Sequence, residues 1–86
     1  MRIDRQEQNE ISRRVKQCLH DKRNPLEDLQ KAQAASHQLG KKFRESRNRD
    51  GTYPSTISDQ YARSLREVQI CEHVLEDFNE QKVRAA

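Results

Sequence analysis

Residues 57–78, ISDQYARSLREVQICEHVLEDF, decide the fold. Within them Ile57, Tyr61, Leu65, Val68, Cys71, Leu75 and Phe78 recur at steps of four or three, and most positions between are polar. That spacing places an apolar stripe on one face of an amphipathic helix, expected over 57–80. Tyr61, Val68 and Leu75 also repeat every seven residues, but Ser64 and Lys82 break the repeat at its ends. A packed bundle therefore fits better than a free coiled coil. Leu65, Val68, Leu75 and Phe78 are the first candidates for core or protein interface. On this face assignment Leu65→Ala should cost about 2–5 kcal/mol. Arg63 and Arg66 should face solvent, with Arg66→Ala below about 0.5 kcal/mol unless it pairs.

Upstream the periodicity disappears. Asn48, Asp50-Gly51, Pro54 and Ser55 are turn formers, which predicts a loop over 47–56. Before it, Leu26, Leu29, Ala32, Ser36, Leu39 and Phe43 share a face and predict a second helix over 25–46. Asn24, Pro25 and Glu27 read as its start: a cap, a proline at the first position and a carboxylate closing a capping box. Gly40 interrupts the stripe, yet Phe43 falls where the stripe expects it, so the helix should continue. The run Ala32, Ala34, Ala35 suits close helix packing. A first helix is expected over 4–20, with Ile11, Val15, Cys18 and Leu19 on one face and both chain ends frayed. The expectation is a single all-α domain over 1–86: a small three-helix antiparallel bundle, or a helical hairpin plus a long C-terminal helix.

Only 31% of the 86 residues are apolar, while 36% are charged. Each ordered residue costs on the order of 1.5 kcal/mol of conformational entropy, so so few large side chains leave a lone monomer marginal. A homodimer or a protein partner would supply the missing burial. No stretch reads as a membrane span or secretory leader, and two cysteines make no disulfide framework. A cytoplasmic location and no membrane partner are expected.

Residues 1–51 hold thirteen Lys or Arg against eight Asp or Glu, a balance of +5. Residues 52–86 hold four against six, a balance of −2. The basic surplus peaks at Lys41, Lys42, Arg44, Arg47 and Arg49, with Glu45 the one acid among them. These five are candidate phosphate contacts, with Tyr53 available for stacking. Arg13 and Arg14 would widen the patch if the first two helices packed as a hairpin.

Catalytic machinery is not legible. Cys18 and His20, like Cys71 and His73, stand two apart, and on a helix such residues diverge by about 200°. No nucleophile–base pair, phosphate-binding loop or calcium pattern stands out. The expectation is no enzyme, no catalytic or metal-ligating residue and no cofactor. The function expected is that of a small adaptor, regulator or assembly factor working through protein contacts. The alternative is a DNA- or RNA-binding regulator that uses segment 41–49 and the N-terminal helical pair.

Overall fold

A computed structural model describes residues 3–85. The fraying expected at residues 1, 2 and 86 lies outside the described residues. The fold is all-α: α1 (Arg5–Asp21), α2 (Leu26–Glu45) and α3 (Ser55–Ala85), with no strand among the described residues. It is a helical hairpin, α2 with α3, against whose long second helix α1 also lies.

α1 opens on a capping box that the sequence reading did not single out. The Asp4 carboxylate accepts from the Glu7 N–H at 2.8 Å, and Glu7 accepts in return from the Asp4 N–H. Lys22 ends the helix in the left-handed region, φ 54°. The capping box expected at Asn24 does not form. Pro25 itself takes the cap position with helical φ −67° and ψ −7°, so Glu27 falls one position short of where it could reach back. Asn24 instead accepts from the Leu26 N–H at 3.0 Å, closing the turn locally.

α2 runs unbroken through Gly40. A Cβ at Gly40 would stand 3.1–3.2 Å from the Tyr61 ring, so the glycine lets α3 approach. Ser36 is the other small buried residue on this face, whereas Ala34 and Ala35 are exposed. The close approach therefore rests on Ser36 and Gly40, with half-buried Ala32 the one member of the alanine run turned toward α3. Gly40→Leu should lower stability by about 1–3 kcal/mol through overpacking, read as a lower urea midpoint.

α3 carries both other helices. Gly40 and Phe43 meet Tyr61, while Pro25 and Asp28 lie by Glu67 and Cys71, so α2 runs antiparallel to it. On α1, Glu7 pairs with Arg66, Arg14 with Glu67, and Cys18 shares a hollow with Phe78. These contacts climb both helices together, so α1 runs parallel to the C-terminal half of α3. Among the described residues the α1 and α2 backbones do not approach each other closely; both lie against α3, as in a three-helix bundle, so no α1–α2 hairpin carries Arg13 and Arg14 to the end of α2.

The core follows from this arrangement. Ile11, Val15 and Cys18 pack with Val74 and Phe78, flanked by Ile3 and Ile70. Val74 and Ile70 were not in the sequence stripe, because α3 has a second apolar face turned to α1. Leu65 precedes Val74 by nine residues, and nine steps of about 100° put it on the opposite side. Leu65 is accordingly 44% exposed and is not core. Phe78 is buried; Val68 and Leu75 are half-buried.

The molecule is long, 57 × 24 × 17 Å. Its radius of gyration is 15.9 Å, against about 12 Å for a compact chain of this length. Its accessible surface is 6821 Å², against about 5,300 Å² expected of a compact monomer of its mass. Three helices of this composition leave substantial side-chain surface uncovered.

Candidate interaction surfaces

Three surfaces stand out. The first is the basic tip where α2 ends and the connector turns back. Ser46 closes α2 by donating to the Phe43 carbonyl, and Gly51, at φ +88°, donates to the Asn48 carbonyl. Asp50 accepts from both the hydroxyl and the N–H of Thr52, which holds its carboxyl below the usual range. The Tyr53 ring stacks on Phe43 at 4.2 Å between centroids and 17° between planes. One Tyr53 face is thus already occupied, although 37% of the residue is exposed. Lys41, Lys42, Arg44, Arg47 and Arg49 are all exposed, and among the described residues none lies within 4 Å of a carboxylate.

Arg13 and Arg14 do not join that tip. They stand beside the middle of α3 and are held by acids: Glu10 accepts from Arg13 Nε at 3.0 Å and from Arg14 Nε at 2.8 Å. Arg14 reaches on to Glu67 at 2.6 Å and locks α1 to α3. Its pKa is pushed further up, chiefly by the hydrogen bond to Glu67. The sequence signal was the Glu10–Arg13–Arg14 spacing of three and four on one helix face.

These hydrogen bonds hold the Glu10 carboxyl down at about 2, against an ordinary value of 4.5. A carboxyl lowered in the fold contributes stability above its unfolded pKa and loses it as pH falls through the folded value. Glu10→Gln should therefore be slightly less stable than the native chain at pH 6. The gap should close between pH 4.5 and about 2, read from urea midpoints across that range.

The second surface is a cleft of about 490 Å³ between α1, the start of α2 and α3. Its floor is Pro25, Ala32, Cys71 and Val74, and its rim carries Arg13, Arg14, Arg23 and Lys31 against Asp28 and Glu67. Both cysteines are free and buried. Burial, and then the nearby Glu67 charge, push the Cys71 thiol up to about 11, which suits a packing thiol better than a nucleophile. Among the described residues no group of three or more His, Cys, Asp or Glu side chains is placed to hold a metal ion.

The third surface is a groove along the far side of the α2–α3 hairpin, about 280 Å³. Gln33, Ser36, His37, Gly40 and Arg44 form one wall, and Tyr61, Leu65 and Val68 the other. Of the four apolar candidates, Leu65 and Val68 meet here. Phe78 belongs to the α1 core, and Leu75 is half-buried higher on α3. Among the described residues no helix is long and apolar enough to cross a membrane.

Comparison of the chain with known protein families, with curated proteins and with solved structures gives no match. Function must therefore be read from these surfaces.

Proposed function

We propose that this chain is a non-enzymatic adaptor, regulator or assembly factor that acts through protein contacts, with a second copy or another protein as its partner. The observation that carries the reading is the α2–α3 groove. Leu65 stands 44% exposed in it, beside half-buried Tyr61 and Val68, on a molecule whose surface exceeds that of a compact monomer. A helix laid along such a groove buries apolar surface that the three-helix fold leaves wet. Two unpaired thiols suit a reducing, cytoplasmic setting.

The basic tip favours a second reading, DNA or RNA binding. Its five cations are exposed and free of carboxylates among the described residues, as phosphate contacts require. Arg13 and Arg14 add little to it, being committed to Glu10 and Glu67.

A pull-down with the full chain, with and without nuclease, separates the two. Recovery of one protein in fixed proportion after nuclease treatment is the result expected of the adaptor. Loss of every bound protein on nuclease treatment, with oligonucleotides retained at low salt and released as salt rises, would overturn it in favour of nucleic acid.

A further inference from the structure

On the outer side of α3, Tyr61, Leu65, Val68, Glu72 and Leu75 follow one another at steps of four and three. This is the spacing of a helix–helix seam. Its apolar members are half-buried or exposed, and its one charge, Glu72, is exposed. From Glu67 to Gln81 α3 carries five acids and no Lys or Arg. Among the described residues Glu72 and Glu76 have no cation within 4 Å. The unpaired cation Arg44 lines the other end of the same groove, and exposed Lys41 directly follows Gly40, which meets Tyr61 there. One face thus carries an apolar middle, an acidic end and a basic end.

Such a face is complementary to itself when turned end for end. A two-fold axis between Leu65 and Val68 sets Leu65 against Val68 of the partner subunit. It brings Glu72 to the level of Tyr61 and Lys41 of the partner subunit, and Glu76 toward Arg44 of the partner subunit. An isologous contact needs this kind of self-matching, and a parallel arrangement would set acid against acid.

We infer that the groove's occupant is a second copy of this chain, packed antiparallel so that the two hairpins form a four-helix layer. The inference rests on the protein-contact reading above and specifies its partner. The hairpin presents about 30 Å by 20 Å, or about 600 Å² per copy. The total of about 1,200 Å² is at the lower edge of specific interfaces, so the dimer should be reversible in the micromolar range.

Sedimentation of the full chain from about 1 to 500 μM tests this. A monomer–dimer equilibrium is expected, weakened about tenfold or more by Leu65→Glu, by Glu72→Lys and by Lys41→Glu. The double reversal Glu72→Lys with Lys41→Glu should regain most of the native affinity. All three positions are exposed, and circular dichroism verifies that each variant folds. If Leu65→Glu unfolds, the charge-reversal set alone carries the test. A single 10.2 kDa species at every concentration overturns the self-pairing while leaving the protein-contact reading to its own pull-down. A dimer indifferent to all three single changes, or a double reversal no better than the singles, overturns the proposed register.

Discussion

Phe78→Ala is expected to lower the unfolding free energy by about 3–5 kcal/mol, the usual range for truncating a buried aromatic. Phe78 is buried against Ile11, Val15, Cys18 and Val74, so its loss leaves a cavity in the cluster that holds α1 to α3. Domains of this size have total stabilities near the low end of about 5–15 kcal/mol. The variant should therefore be largely unfolded by mild urea, with helical circular dichroism lost early. Val83→Ala is the control: Val83 is 76% exposed, and the change should cost less than about 0.5 kcal/mol. Equal midpoints for the two variants would remove the α1–α3 core from the account.

Arg66→Ala should cost about 1–3 kcal/mol, and Leu65→Ala less than about 1 kcal/mol in the monomer. This reverses the ranking that the sequence stripe suggests. Arg66 is only 26% exposed and pairs with Glu7, whose side chain is 18% exposed. Removing the guanidinium leaves a carboxylate shielded from water without its partner, and Glu7 Oε2 already has no hydrogen-bond partner among the described residues. Glu7 also closes the α1 capping box, so Arg66 ties the start of α1 to the middle of α3. Leu65 lies on the open side of the α2–α3 groove, 44% exposed, and loses little by truncation. Denaturant melts of the two single variants at low protein concentration decide the ranking. A costly Leu65→Ala with a neutral Arg66→Ala would place the wrong face of α3 inside.

The three helices were legible because each carries apolar residues at three- and four-residue steps, and because turn formers fill the connector. The connector's own hydrogen bonds, Asn48 donating to Thr52 and Thr52 donating to Asp50, follow from the same residues. What periodicity could not supply is how one helix divides its circumference between two neighbours. The stripe through Leu65 and Leu75 overlooked Ile70 and Val74, whose importance depends on α1 lying alongside. Arg66 read as solvent-facing because nothing local announces a partner 59 residues away in Glu7. The Asn24 cap failed for a smaller reason: the Pro25 backbone is already helical and shifts the cap by one position. Among the surfaces, the basic segment was visible as composition. The groove was not, since it needs α2 and α3 antiparallel with Gly40 against Tyr61.

The central claim is that recognition resides on the Leu65 seam and not on the basic tip. The most direct measurement is a nuclease-treated pull-down that compares three full-length chains: native, Leu65→Glu, and the double variant Arg47→Gln with Arg49→Gln. All the changed residues are exposed, so folding should survive in each. The account predicts that the native chain and the tip variant recover the same protein in the same proportion, while Leu65→Glu loses it. Retention by Leu65→Glu with loss by the tip variant would contradict the claim and move the site to the basic tip.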